Sequence, residues 1–276
     1  MKGRAQAERA GAEHLLAIDI GNTHTVLGVF AGERLVDFWR VTSGTTRTGD
    51  ELAPLVTALC RAYNDDLART RRVVIASVVP ALTAEYERMA ARLYGARAIT
   101  VSARIPTGVR IDLPDPGAVG ADRIANAAAV ADGPLPAIVV DLGTATTFDV
   151  VRPGRRYVGG VIAPGIRASS EELFRRAARL AKVEIRRPAR CIGRTTEESL
   201  QAGLYFGTVA MIDGIVTTLE QELGRSARVV ATGGLAEMIA QDSATIQEVD
   251  EALTLRGLLA ISRRTARGKR RPSVSR

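Results

Sequence analysis

Apolar residues fall into two arrangements along this chain. Leu15–Ile20 is a β-prone apolar run, broken by the polar stretch Gly21-Asn22-Thr23-His24 and resumed over Thr25–Phe30, which predicts a hairpin around a tight turn. Ala137–Val140 leads in the same way into Asp141-Leu142-Gly143-Thr144-Ala145-Thr146-Thr147, and Phe148–Val151 returns as a second apolar strand. The two stretches share one plan of strand, Asp, aliphatic residue, Gly and hydroxyl-rich turn. This predicts two domains of similar topology able to face each other across a cleft.

Between the repeats, Leu52, Leu55, Val56 and Leu59 recur at helical spacing, predicting a helix over Asp50–Tyr63. A buried strand over Val73–Val79, a helix over Leu82–Leu93, a strand over Ala98–Val101 and an Ala-rich helix over Ile124–Ala131 follow. Asp132-Gly133-Pro134-Leu135-Pro136 is the expected domain junction. In the second half, Ser170–Leu180, Thr196–Leu223 and Ala236–Ala240 have helical character, and Val229–Ala231 is a short strand running into Thr232-Gly233-Gly234. Val158–Ile166 is too rich in Gly and Pro for a regular strand; it is expected to form a wall beneath a pocket or a structural turn. The class is α/β. The expected division is a leader over 1–14, domains over 15–133 and 134–262, and a tail over 263–276.

Composition narrows the chemistry. The 276 residues suffice for two ordinary domains. No apolar run approaches the roughly 20 residues that span a bilayer, and the start of the chain lacks the apolar block of a secretory signal, so a cytoplasmic protein is expected. Cys60 and Cys191, the two cysteines, have no metal-binding spacing and are expected to be buried, reduced thiols. With only His14 and His24 as histidines, carboxylates are left as the general bases. The net charge of +8 comes largely from Arg263, Arg264, Arg267, Lys269, Arg270, Arg271 and Arg276, a terminus read as a solvated end rather than a nucleic-acid arm.

Three turns and one helix start carry the candidate chemistry. Asp19-Ile20-Gly21-Asn22-Thr23 can bring backbone N–H groups and hydroxyls close to phosphate oxygens, or can be an ordinary β-turn. Its near-copy at Asp141–Thr147 supplies a second set of donors and a second carboxylate, as a nucleotide clamp with its cation requires. Thr232-Gly233-Gly234 can lie flat against a nucleoside or be a plain strand-to-helix turn. Gly120-Ala121-Asp122-Arg123 offers a proton acceptor and a cation within one helical turn, as phosphoryl transfer to a hydroxyl needs; the alternative is that Asp122 merely caps the helix and Arg123 lies on the surface.

Taken in order, these motifs, together with Trp39-Arg40, Gly159-Gly160 and Ala163-Pro164-Gly165-Ile166, resemble those of type III pantothenate kinases over about Leu15–Ile261. The resemblance implies two ribonuclease-H-like (actin-like ATPase) domains facing each other across a nucleotide cleft. It implies a homodimer that phosphorylates pantothenate with ATP, magnesium, and potassium or ammonium, in the first step of coenzyme A synthesis. By motif position, Asp19, Ile20, Gly21, Asn22, Thr23, His24, Thr25, Val26 and Thr144 would contact ATP, and Asp122 would be the general base. Gly120, Ala121, Asp122, Arg123 and Thr196 would contact pantothenate, and Asp141 would bind potassium. The chain departs from the pattern at His24, where the family carries a small polar residue, and at Leu113, nine positions before Asp122, where it carries Tyr. Leu113 admits a kinase for another small alcohol, and the basic tail admits a non-catalytic regulator on the same fold.

Overall fold

The computed structural model describes residues 13–63, 70–95, 97–176 and 182–268. Two compact units emerge. The first comprises the chain to Arg110, Pro114–Ala129 and the chain from Thr254; the second comprises Ile111–Leu113 and Val130–Leu253.

In the first unit, β1 (His14–Ile20), β2 (His24–Ala31), β3 (Arg34–Thr42), β4 (Thr70–Ser77) and β5 (Ile99–Thr100) form a sheet of order β3-β2-β1-β4-β5. β1 is antiparallel to β2 and parallel to β4. It is central and covered on both faces, which is why it reads as a nearly continuous apolar run. Helices α1 (Gly49–Tyr63) and α2 (Pro80–Tyr94) bury Leu52, Val56, Leu82 and Met89 in one cluster with Leu16, Ile18, Val73 and Ile75. Thr48 and Glu51 fix the start of α1 as a capping box: Thr48 N donates to Glu51 Oε2 at 2.8 Å and Glu51 N to Thr48 Oγ1 at 3.4 Å. Two further helices complete the unit, α3 (Ala121–Val130), which ends one residue into the second unit, and α7 (Leu253–Gly268).

The second unit repeats the plan. Its sheet has the order β11-β10-β7-β8-β9-β6, built from β6 (Arg110–Ile111), β7 (Ala137–Leu142), β8 (Ala145–Arg152), β9 (Arg156–Pro164), β10 (Arg228–Thr232) and β11 (Glu248–Val249). In each unit a three-stranded antiparallel meander precedes a strand parallel to its first member, so β7-β8-β9 and β10 correspond to β1-β2-β3 and β4. Helices α4 (Ile166–Arg176), α5 (Thr196–Leu223) and α6 (Ala236–Ala240) belong to this unit. Tyr205, Val209, Ile212 and Val216 of α5 pack with Ile138, Val140 and Phe148.

Several expectations change. Residues from Thr254, expected in the second domain up to 262, belong to the first unit, because α7 buries Leu255 against β2 and Gly257 against α3. His14, expected in the leader, is buried as the first residue of β1 and pairs with Ala31 and Thr70; residues 1–12 lie outside the described residues. Of the expected tail, 263–268 continue α7, where Arg263 pairs with Glu33, and 269–276 lie outside the described residues. Val158–Ile166 is mostly regular strand: β9 accommodates its glycines because Gly159, at φ +107°, sits at a bulge opposite Val150 and Val151. β3, not foreseen as a strand, is an edge strand. Cys191 is exposed, whereas Cys60 is buried. Finally, α5 is long and apolar enough to cross a membrane by length and composition, with a mean hydropathy of 1.4 over its most apolar window; its buried side chains face the core of the second unit.

Candidate functional site

In the first unit the phosphate-turn motif lies at the carboxyl end of the central strand, the edge at which open α/β sheets bind ligands. Asp19 is half-buried near the end of β1, opposite Val26 on β2 and Ala76 on β4. The turn closes through a hydrogen bond from Gly21 N to His24 O at 3.0 Å, leaving Asn22, Thr23 and His24 exposed. Thr25 differs from its neighbours. It is fully buried, with its hydroxyl 2.8 Å from that of Ser43, so it supports the turn instead of lining it. Burial pushes the Tyr86 phenol above the ordinary range, and Thr25 partly offsets this.

Asp122 stands close to the same edge. Val78 N donates to Ile20 O at 3.1 Å, and a β-carbon placed on Gly120 would lie 3.7 Å from Val78 Cγ1 and 2.4 Å from Asp122 Oδ1. The end of β1 and the start of α3 are thus neighbours of one residue, Val78. Asp122 does not cap α3. Gly120 O accepts from Ile124 N at 3.1 Å, while Asp122 lies inside the first turn with Oδ1 accepting from Arg123 N at 2.8 Å. A half-buried carboxylate and a guanidinium therefore follow one another at a helix N-terminus, where the dipole favours anions.

The second unit carries its own turn. Asp141, paired with Thr147 and Thr232, holds the position in β7 that Asp19 holds in β1. Thr146 and Thr147 belong to β8, so the turn itself is Gly143-Thr144, with Thr144 exposed. A β-carbon on Gly165 would lie 2.2 Å from Thr144 O, so the start of α4 abuts this turn.

Thr232-Gly233-Gly234 lies against β7. Gly233, at φ +94°, comes so close to β7 that a β-carbon would stand 2.7 Å from Leu142 O and 2.9 Å from Asp141 Oδ1. A carboxylate and a backbone carbonyl converge there on a residue without a side chain. That donor set suits a hard cation, which takes oxygen ligands. Among the described residues no group of three or more His, Cys, Asp or Glu forms a metal cluster.

Thr196 is placed by a separate device, the capping of α5. Thr195 Oγ1 accepts from Glu198 N at 3.1 Å, and Glu198 Oε2 accepts from Arg194 N at 2.6 Å. Leu113 is half-buried in the second unit, in a short arm held by Asp112 N donating to Tyr157 O at 2.8 Å. A β-carbon on Gly159 would meet Leu113 Cδ2 at 3.3 Å. Ser43 and Val78 carry no sequence signal, because each acts through a contact distant along the chain.

The family model described as type III pantothenate kinase matches residues 15–218. A type III pantothenate kinase from Myxococcus xanthus (strain DK1622) is 48% identical over 248 residues, covering 90% of this chain and 97% of that protein. Another, from Geobacter sulfurreducens, is 48% identical over 245 residues, covering 88% and 96%. Among solved structures, a Baf family protein from Campylobacter jejuni, named as a transcriptional activator, aligns with a TM-score of 0.57 at 19% identity over 91% of this chain and 99% of that one. A ROK hexokinase from Thermus thermophilus aligns with a TM-score of 0.50 at 16% identity, covering 90% and 98%. These two bear on the fold alone, and agree with the duplicated ribonuclease-H-like plan. A match over most of the chain, with both acidic turns and the Asp122 helix start inside it, places the chain in the type III pantothenate kinase family: it is a kinase, and membership implies that it uses ATP.

Proposed function

We propose that this kinase transfers the γ-phosphoryl group of ATP to the hydroxyl of pantothenate, giving 4′-phosphopantothenate, the first step of coenzyme A synthesis. The observation that carries the reading is the shared neighbour Val78, which sets the Asp122 helix start beside the phosphate turn at the end of β1. Asp122 takes the proton of the attacking hydroxyl, and Arg123 pairs with the substrate carboxylate. Gly120, Ala121 and Thr196 complete the pantothenate contacts. ATP is held by Asp19–His24, Val26 and Thr144, with Thr25 acting from behind the turn.

Asp19 would hold magnesium, which when bound would neutralise charge at the phosphates. Potassium or ammonium suits the oxygens of Asp141 and Leu142 beside Gly233. The protein acts in the cytoplasm as a homodimer. Support for a dimer comes from α5, whose Gly203, Gly207, Ala210 and Gly214 form an exposed strip of small residues.

The first experiment is phosphorylation of pantothenate by the purified protein with ATP and magnesium, in potassium and then in sodium. Turnover that requires potassium supports both the reaction and the Asp141 assignment. No turnover in either salt would sink the reading. A second reading, a kinase for another small alcohol, is motivated by Leu113 packed over Gly159 where the family carries Tyr. A panel of small alcohols under the same conditions separates the two.

A further inference from the structure

We infer that Ser43 is a positioning residue for the phosphate turn at the end of β1, acting through the Gly21 carbonyl. The inference rests on the ATP-binding reading of that turn. Pairing of β2 with β3 brings Ser43 to the turn, since His24 lies opposite Thr42 and Thr25 opposite Val41. Ser43 then clamps the turn twice. Its backbone N donates to Thr23 O at 2.9 Å, and its hydroxyl donates to Gly21 O at 2.7 Å.

The second bond has a direct consequence for phosphate binding. A trans peptide is planar, with its carbonyl and N–H pointing in opposite directions. Holding Gly21 O on Ser43 therefore aims the Asn22 N–H to the opposite face of the turn. A backbone N–H held in advance costs less ordering when a phosphate arrives than one free to rotate.

The clamp is itself anchored in the core, and the order of its bonds follows from counting hydrogens. A carbonyl only accepts, and each hydroxyl has one hydrogen to give. Ser43 gives its hydrogen to Gly21 O, so Thr25 donates to Ser43 across 2.8 Å. The chain runs Thr25 to Ser43 to Gly21. Thr25 is 0% exposed, so water does not compete for the inner bond, and successive donors polarise one another.

The test compares Ser43→Ala and Ser43→Thr with the wild type, by steady-state kinetics and by equilibrium binding of a fluorescent ATP analogue. For Ser43→Ala a rise of roughly tenfold in the KM for ATP and in the analogue Kd is expected, the scale of losing one hydrogen bond, with the KM for pantothenate unchanged. Ser43→Thr keeps a hydroxyl and restores wild-type nucleotide affinity. Wild-type affinity in Ser43→Ala would overturn the inference, as would equal losses for both substrates together with a lowered melting temperature. Analogue binding is read whether or not pantothenate is the acceptor. A failure of the wild type to phosphorylate pantothenate therefore remains distinguishable from a failure of the clamp.

Discussion

Gly257 of α7 lies against the backbone of Ala125 in α3: a β-carbon at position 257 would stand 1.9 Å from the Ala125 carbonyl oxygen. Thr254, one turn earlier in α7, donates through Oγ1 to Asn126 Oδ1 at 2.8 Å. The C-terminal helix thereby holds the helix that begins with Asp122. Any side chain at position 257 must force the two backbones apart. Gly257→Val is expected to cost about 1–3 kcal/mol of stability, as overpacking does, read as a shift of the urea unfolding midpoint. An unchanged midpoint would show that the helices do not cross this closely.

Asp122→Asn keeps the shape of the side chain and removes its capacity to accept a proton. Turnover should fall by about 10²–10⁴-fold while binding of the fluorescent ATP analogue is retained. Wild-type turnover in this variant would exclude Asp122 as the base.

Gly233→Ala introduces a β-carbon at φ +94°, within 3 Å of both Leu142 O and Asp141 Oδ1. A left-handed backbone costs a non-glycine residue roughly 1–2 kcal/mol, and the new methyl group intrudes on the proposed cation ligands. Activation by potassium should weaken or vanish, measured as the salt concentration giving half-maximal turnover. If that concentration does not move, Asp141 and Leu142 are not the site.

Acid should loosen the segment that precedes α5. Asp242 is held down at about 2 by its hydrogen bond to Arg187, with Tyr205 assisting. Arg187 Nε lies 2.6 Å from Asp242 Oδ2, and Tyr205 OH donates to the same oxygen at 2.7 Å. Because the folded pKa lies below the unfolded one, this contribution is complete above about pH 4 and is lost as pH falls towards 2. Asp242→Asn should flatten the decline in unfolding midpoint over that window while lowering the midpoint at pH 7. A decline of unchanged slope would mean that other carboxylates govern acid stability.

The two cysteines should separate cleanly. Burial pushes the Cys60 thiol up to about 12, whereas Cys191 is exposed. A thiol reagent at pH 8 should modify one group per chain quickly and the second only after unfolding. Rapid modification of both would contradict the burial of Cys60 on the inner face of α1.

Much of this architecture is local and therefore legible. β1 and β7 announce themselves as apolar runs because they are central and covered on both faces. The paired hairpins follow from the Gly-containing breaks, and α5 from its helical character over Thr196–Leu223. β3 escaped notice because an edge strand, with Asp37 and Arg40 among its residues, has no continuous apolar signature. β9 was misjudged because its glycines mark a bulge rather than the end of a strand.

By itself, then, the sequence determined the duplicated α/β plan, the acidic turn that opens each repeat and the carboxylate at the start of α3, since strand, turn and cap signals are carried by neighbouring residues. Only the tertiary structure decided that α7 returns to the first unit, that Gly233 meets Asp141, that Thr25 turns inward and that Ser43 holds the Gly21 carbonyl. Each of these depends on which strands pair and how closely two backbones approach, and such proximity between residues far apart in the chain leaves no periodic trace along it.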